Sequence, residues 1–186
     1  MNDKKILFAD IYQPEKLNPA PTILVRIPID NNFKGKFMSN VLGRLWAERG
    51  YNVVIQGVRG RYLSQGKHIP FQTERQDGIA TLKWLKQQPW HNGKTGMWGG
   101  SYFGYTQWVL SDQETLGLSA LFTQISSSSN YKMFYPGGAF SFRSALFWAT
   151  RCHSDVDTPM DDEQLAEGAK KAPMITADNR TVGTIP

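Results

Sequence analysis

The amino-acid sequence predicts an α/β fold, in which helices flank a mostly parallel sheet. Three observations lead to this prediction. Apolar runs rich in β-branched residues alternate with stretches of helical periodicity, an order of elements typical of parallel sheets. The 186 residues are 40% hydrophobic and 20% charged, as expected of a globular protein with a sizeable core. The nearly continuous apolar run at 21–29 is typical of a strand buried on both faces.

The first half of the chain contains three predicted strands and one helix. The strands are runs of β-branched and aromatic residues at 5–12, 21–29 and 51–57. Four apolar residues recur at helical spacing between the second and third strands: Met38, Leu42, Leu45 and Trp46. We therefore expect a helix from Met38 to Arg49. Gly50 stands where this helix would end, because glycine readily adopts the left-handed conformation of a C-terminal cap.

The clearest helix is predicted from Thr73 to Gln88. Thr73, with Gln76 three residues later, has the pattern of a capping box. Pro89 follows at the point where the helix would stop. The remaining predicted elements of the α/β part are a strand at 93–100, a helix from Tyr102 to Asp112 and a strand at 118–124.

A change in sequence character predicts a domain boundary near residue 126. Residues 1–125 form the α/β part, and residues 126–186 form a mostly helical appendage with an irregular end. The appendage begins with an aromatic-rich stretch from Asn130 to Thr150. A further helix is expected from Thr158 to Lys171. Its first turn carries Asp161, Asp162 and Glu163, which complement the helix dipole better than they indicate a cation site.

Charge and composition argue against several classes of function. The formal charge of +5 is scattered, without a basic stripe among aromatics, so no nucleic-acid partner is expected. The three histidines and the single cysteine, Cys152, have no metal-ligand spacing, and nothing implies an organic cofactor. No apolar run approaches the roughly 20 residues that span a bilayer. The N-terminus lacks a long apolar secretory segment, so we expect a cytoplasmic protein.

The segment that indicates chemistry is MWGGSYFG, residues 97–104. It places a serine between a predicted strand and a predicted helix, with small residues around it. In a nucleophile elbow such a serine sits in a strained turn that exposes its hydroxyl. The backbone N–H of the next residue, Tyr102, would then face the developing oxyanion. Phe103 stands where the generic G-x-S-x-G pattern has its second glycine, and Gly104 comes one residue later.

Two other interpretations of this segment are open on the motif alone. Its glycines could serve only for close packing of the helix against the strand. A phosphate-binding glycine loop is the second alternative, but the segment has neither the G-x-G-x-x-G pattern nor a P-loop lysine.

Longer blocks of sequence resemble the family that includes cocaine esterase, X-prolyl dipeptidyl peptidases and glutaryl or cephalosporin acylases. These blocks follow one another in the family's order and cover most of residues 5–150: 7–14, 21–30, 48–66, 74–90 and 93–108. The G-x-S-Y-x-G form of the last block is the family's version of the elbow. The resemblance implies an α/β-hydrolase sheet, mostly parallel and present here in part, followed by the start of a helical cap at 126–186.

The resemblance also implies roles for five residues. Ser101 would be the acylated nucleophile, and the backbone N–H of Tyr102 would be one oxyanion donor. Trp148 matches an aromatic residue that lines the acyl pocket, with Phe134 and Tyr135 nearby. The alternative for these three aromatics is an ordinary place in the core.

Two positions depart from the family pattern. A tyrosine whose hydroxyl is the second oxyanion donor commonly stands where this chain has Ile29, which has no donor. The loss of one such donor typically lowers turnover about 100- to 1,000-fold. The loop after the third strand commonly begins with aspartate, where this chain has Gly57, and this change affects the loop geometry.

A complete catalytic triad is not found in the sequence. The triad order in this fold is serine, then an acid, then histidine. His153 is the only histidine after Ser101, and it lies in the cap-like segment. Asp112 would lie roughly 16 Å along the helix from its start, at 1.5 Å per residue. His68 and His91 precede Ser101 and are expected in loops.

The sequence therefore predicts the nucleophile half of a serine hydrolase that acts on esters or amides of small molecules through an acyl-serine. The chain is expected to be truncated, without the triad aspartate and histidine. The alternative is a non-catalytic, truncated or degenerate relative that at most binds acyl ligands. A partner chain that supplies both residues is a third possibility, which no sequence feature supports. We also expect self-association through an uncovered sheet edge.

Overall fold

The computed structural model describes residues 3–16, 18–28 and 33–153, together with residues 163, 166, 167 and 170. The chain divides into two compact units, Met1–Ser128 and Ser129–Pro186. No described helix has the length and apolar character that crossing a membrane requires.

The first unit is built around a five-stranded sheet. Its strands in chain order are β1 (Ala9–Tyr12), β2 (Ala20–Ile27), β3 (Asn52–Gly57), β4 (His91–Gly100) and β5 (Leu118–Gln124). The order across the sheet is β1-β3-β2-β4-β5. Strands β2 to β5 pair in parallel, and β1 is antiparallel to β3 at one edge. The α/β class and the mostly parallel sheet predicted from the sequence are confirmed.

Helices connect the parallel strands of the first unit, and the second unit has helices of its own. Those of the first unit are α1 (Phe33–Ala47), α2 (Glu74–Leu85) and α3 (Tyr102–Trp108), with a 3₁₀ turn at Glu114–Leu116. Those of the second unit are α4 (Asn130–Phe134) and α5 (Phe142–His153), with a 3₁₀ turn at Pro136–Gly138.

The core lies on both faces of the sheet. Adjacent residues of a strand point to opposite faces, so Leu24 and Val25 of β2 belong to different clusters. Leu24 packs with Leu82 and Leu85 of α2. Val25 packs on the other side, where Trp46 of α1 covers its cluster. This two-sided burial explains why β2 and β3 are apolar runs without alternation.

Several element boundaries differ from the sequence predictions. Helix α1 begins at Phe33, five residues before the expected Met38, and α3 ends at Trp108 instead of Asp112. The capping box at Thr73 is wrong, because the Thr73 side chain makes no capping hydrogen bond. His91, expected in a loop, is the first residue of β4. The helix expected from Thr158 to Lys171 lies largely outside the described residues, as do Asp161 and Asp162.

Candidate active site

Ser101 occupies a sharp turn between β4 and α3. Its backbone has φ 53° and ψ −127°, a conformation that non-glycine residues rarely adopt. The Ser101 N–H donates to the Gln124 carbonyl of β5 at 2.9 Å. The Ser101 carbonyl accepts from the N–H groups of Gly104 and Tyr105, at 2.9 and 3.1 Å. The strained conformation is thus held from both sides, and the serine itself is exposed.

The glycines around Ser101 leave no space for side chains. A Cβ on Gly99, whose φ is 142°, would lie 2.4 Å from the Phe103 Cβ. A Cβ on Gly104 would lie 2.5 Å from the Ser126 Cβ. Carbon atoms cannot approach so closely, so α3 reaches its position against the sheet only because these residues are glycines. The close packing expected of these glycines therefore accompanies the strained serine, and the two interpretations are compatible.

Gln107 connects three segments around the turn. Its side chain is fully buried, and its Nε2 donates to the carbonyls of Gly99 at 3.0 Å, Phe103 at 3.2 Å and Phe122 at 3.2 Å. These carbonyls belong to β4, α3 and β5 respectively. Gln107 is not predictable from the sequence, because a glutamine in a short helix gives no signal of such contacts.

Tyr102 begins α3, and its side chain is buried, with 7% of its surface exposed. Its phenol donates to the Glu74 carboxylate and accepts from the Phe71 N–H at 2.9 Å. The Phe71 ring lies 5.1 Å from the Tyr102 ring, centre to centre. Burial raises the pKa of Tyr102 well above its usual value, and the charge of Glu74 and its hydrogen bond add to the effect. The phenol therefore stays protonated at neutral pH and donates a hydrogen bond to Glu74.

Two buried acidic residues of α2 lie beside two arginines. The Glu74 carbonyl accepts from Arg26 Nη1 at 2.6 Å, and Arg26 is 1% exposed. Burial lowers the pKa of Arg26, and the nearby charges of Glu74 and Asp77 oppose that effect. Arg59 donates through Nε and Nη2 to both oxygens of Asp77, at 2.9 and 2.7 Å. These hydrogen bonds raise the pKa of Arg59. Arg59 and Asp77 therefore form a buried ion pair, whereas Arg26 bonds the backbone of Glu74.

Asp112, His91 and His68, which were considered for a triad, have different surroundings in the structure. Asp112 forms a two-bond ion pair with Arg75 on the surface, both bonds 2.8 Å long. His91 shares a 2.8 Å hydrogen bond with Thr22. His68 lies in the loop before α2, as predicted, with its ring centre 6.0 Å from that of Tyr102. The His153 side chain lies outside what the structure describes.

The three aromatics expected at the acyl pocket belong to the second unit. The rings of Phe134 and Trp148 pack edge to face, with centres 5.8 Å apart. The Tyr135 ring stacks on Tyr131 at 4.8 Å and is 37% exposed. Phe134 and Trp148 thus come together, while Tyr135 stacks on a different ring. Ser101 and Tyr102 belong to the first unit.

The two departures from the family pattern are at Ile29 and Gly57. Ile29 lies outside the described residues. Gly57 ends β3, and a Cβ there would lie 2.4 Å from the Arg61 carbonyl oxygen and 2.7 Å from the Tyr62 Cβ. The loop in this chain therefore turns back through space that the side chain of an aspartate would occupy. Among the residues that the structure describes, no three His, Cys, Asp or Glu side chains group as metal ligands.

A mostly parallel sheet with a serine in a strained turn between a strand and a helix defines a protein of the α/β-hydrolase class. Within that class, the chain belongs to the X-Pro dipeptidyl-peptidase family S15, whose model matches residues 3–184. Cocaine esterase from Rhodococcus sp. (strain MB1 Bresler) is 32% identical to it over 188 residues. The resemblance seen in the sequence blocks is confirmed, and the family is of the serine hydrolase type.

Solved structures show the same fold. An aminopeptidase from the marine sediment archaeon Thaumarchaeota archaeon aligns with a TM-score of 0.68 and 22% identity, over 96% of this chain and 34% of that one. A CocE/NonD family hydrolase from Staphylococcus aureus aligns with a TM-score of 0.55 and 25% identity, over 65% of this chain and 25% of that one. The match to cocaine esterase covers 98% of this chain and 32% of that protein, so the chain spans about a third of its length.

Proposed function

We propose that Ser101 is the nucleophile of a serine hydrolase that cleaves ester or amide bonds of small molecules. The observation that carries the proposal is the strained, exposed turn of Ser101 between β4 and α3. In the reaction, Ser101 Oγ attacks the substrate carbonyl and its proton passes to a general base. The backbone N–H of Tyr102 stabilises the oxyanion, the leaving group departs with a proton, and water then hydrolyses the acyl-serine.

We propose that none of His68, His91 and Asp112 completes a triad with Ser101, and that the general base and its acid lie elsewhere. His91 begins β4 whereas Ser101 follows its other end, so about 30 Å of strand separates them at roughly 3.3 Å per residue. Asp112 is engaged by Arg75. His68 precedes Ser101 in the chain, whereas a triad histidine follows the nucleophile in this fold.

The acyl group is proposed to contact the edge-to-face pair of Phe134 and Trp148, with Tyr135 nearby. Apolar and aromatic side chains line most small-molecule sites. If Trp148 lines the acyl pocket, Trp148→Ala will raise the half-saturating concentration of long-chain acyl probes more than that of short-chain ones. An equal effect on both would leave Trp148 as a core residue of its own unit.

A fluorophosphonate probe followed by mass spectrometry tests the nucleophile directly. The full chain is compared with Ser101→Ala and with Ser119→Ala, which removes another exposed serine of the same unit. We expect one adduct, on Ser101, that persists in Ser119→Ala and is absent from Ser101→Ala. A folded chain without an adduct would instead support the alternative function, a non-catalytic relative that at most binds acyl ligands.

A further inference from the structure

The phenol of Tyr102 is fixed on both sides by groups that lie about 30 residues earlier in the chain. The Glu74 carboxylate accepts a hydrogen bond from the phenol, and the Phe71 N–H donates to the phenol oxygen at 2.9 Å. Phe71 itself has φ 68°, an unusual conformation for an aromatic residue. The phenol therefore joins the start of α3 to the segment that leads into α2.

Glu74 is itself held firmly. It is 1% exposed, and its second carboxylate oxygen accepts from the Thr73 N–H at 3.1 Å. Its backbone carbonyl accepts from Arg26 Nη1 at 2.6 Å. Glu74 is also the first residue of α2, where the helix dipole favours negative charge. A carboxylate with these contacts is a fixed anchor for the phenol.

The anchored residue directly follows Ser101. A non-glycine residue at positive φ is strained and persists only where its surroundings hold it. The Gln124 carbonyl holds the turn on the strand side, through the Ser101 N–H. On the helix side, Tyr102 directly follows Ser101, and its phenol is anchored by Glu74. Loss of its anchor would let the first turn of α3 rotate and change the direction of the Tyr102 N–H.

We propose that Glu74 is a positioning residue that acts through the Tyr102 phenol to hold the Ser101 turn and the oxyanion-facing N–H. This inference rests on the proposed function of Ser101. Glu74 touches no reacting atom in this role, since its contact with the site runs through the phenol. Its carboxylate also balances the buried charge of Arg26, and that second role must be separated from the first.

Tyr102→Phe separates the two roles, because it removes the hydroxyl and leaves the Tyr102 N–H, Glu74 and Arg26 in place. Tyr105→Phe is the matched control. It removes another phenol of α3, the hydroxyl of which donates to the Phe71 carbonyl at 3.3 Å. Both variants are made in the full chain, and far-UV circular dichroism confirms that each is folded.

The first measurement is hydrogen exchange of the Gly104 and Tyr105 amides, which donate to the Ser101 carbonyl. We expect Tyr102→Phe, which also removes the acceptor of the Phe71 N–H, to speed their exchange about tenfold or more relative to the strand amides. That is the size expected for the lost hydrogen bond to the charged Glu74 carboxylate. Tyr105→Phe should leave the Gly104 amide near its parental rate. Equal exchange in Tyr102→Phe and the parent would overturn the proposal. This result does not depend on catalysis.

The second measurement is the saturation kinetics of fluorophosphonate labelling at Ser101. We expect Tyr102→Phe to lower the limiting rate constant about tenfold, for the same lost hydrogen bond, with the half-saturating probe concentration unchanged. A role in stability alone would lower the fraction of protein labelled but not this rate constant, and that result would overturn the proposal. A parent chain that is never labelled would overturn the proposed function, and hydrogen exchange would still decide the role of Glu74.

Glu74→Gln provides a further test. Glutamine has the same reach and keeps a neutral acceptor for the phenol, so it should retain more of the limiting rate constant than Glu74→Met, which has no acceptor. If Glu74→Met fails to fold, the comparison of Glu74→Gln with Tyr102→Phe remains. Glu74→Gln should then have the smaller effect on both measurements, and a larger effect on the limiting rate constant would contradict a role through the phenol.

Discussion

Gly104 and Ser126 approach so closely that a methyl group on Gly104 would stand 2.5 Å from the Ser126 Cβ and 2.7 Å from its Oγ. Gly104→Ala should therefore force α3 away from the end of β5. We expect a loss of about 1–3 kcal/mol in the free energy of unfolding, typical of overpacking, measured by urea denaturation. Ser101 labelling should slow as well, because the Gly104 N–H donates to the Ser101 carbonyl.

Gly96→Ala is the matched control for this substitution. Gly96 lies on β4, and the nearest atom to an added Cβ is the Ala120 carbonyl oxygen at 3.9 Å, an ordinary contact. Gly96→Ala should leave stability nearly unchanged. Equal losses in the two variants would show that close packing at Gly104 is not the cause.

The buried pair of Arg59 and Asp77 gives a second prediction. Asp77 is 1% exposed, and both its carboxylate oxygens accept from the Arg59 guanidinium. Asp77→Ala leaves the largely buried guanidinium with its ion pair to the half-exposed Asp3, so we expect a loss of about 1–3 kcal/mol in unfolding free energy. Asp112→Ala removes the exposed partner of Arg75 and should change stability little. A similar small loss in both variants would contradict the importance of burial here.

Stability should fall in mild acid because of His91. Burial lowers the pKa of His91 from its ordinary value of 6.5, and its Nδ1 faces the Thr22 hydroxyl at 2.8 Å. The unfolded chain therefore binds a proton more readily than the folded chain does. The stabilisation is complete above pH 6.5 and is lost as the pH falls below it.

Thermal unfolding between about pH 7.5 and about pH 5.5 checks this dependence, since ordinary histidines titrate within that range. The decrease in Tm should be smaller in His91→Gln, which cannot titrate, than in the parent. A parental decrease that persists in His91→Gln would rule out His91 as its source.

Strand β5 gives a prediction about self-association. It is the last strand of the described sheet, and Phe122 on it is 51% exposed. Edge strands with exposed apolar residues favour association between chains. Sedimentation velocity should show a concentration-dependent increase in mass that Phe122→Lys reduces. Phe37→Lys is the control, because Phe37 of α1 is also exposed, at 61%. This substitution should not reduce the increase in mass. A parent chain that stays monodisperse at all concentrations would refute the prediction.

The sequence predicted the sheet well because strand formation here follows from local composition. The apolar runs of β2 and β3 are buried on both faces, so their pattern needs no knowledge of the rest of the chain. The strand at 118–124 was predicted with its bounds. Helix α1 begins at Phe33 and not at Met38, and the i, i+4 spacing of Phe33 and Phe37 continues the apolar periodicity of the helix toward its N-terminus.

The surroundings of the candidate site could not be predicted in the same way. The turn at Ser101 depends on residues that are adjacent in the chain, so the motif at 97–104 was enough to predict it. The contact of Tyr102 with Glu74 joins residues 28 positions apart, and the pairing of Arg59 with Asp77 spans 18 positions. Such pairs depend on how the loop before α2 folds back, which local patterns do not encode. The strand predicted at 93–100 begins at His91 in the structure, two residues earlier, so the prediction of His91 in a loop is wrong.

The hydrogen bonds from the Gln107 amide to three carbonyls affect how this part of the molecule unfolds. One side chain ties the end of β4, the first turn of α3 and the middle of β5, so none of the three can separate without breaking shared hydrogen bonds. In native-state hydrogen exchange these segments should behave as a single cooperative unit with one opening free energy. The candidate nucleophile would then lose its geometry all at once, and not by gradual fraying of a short helix.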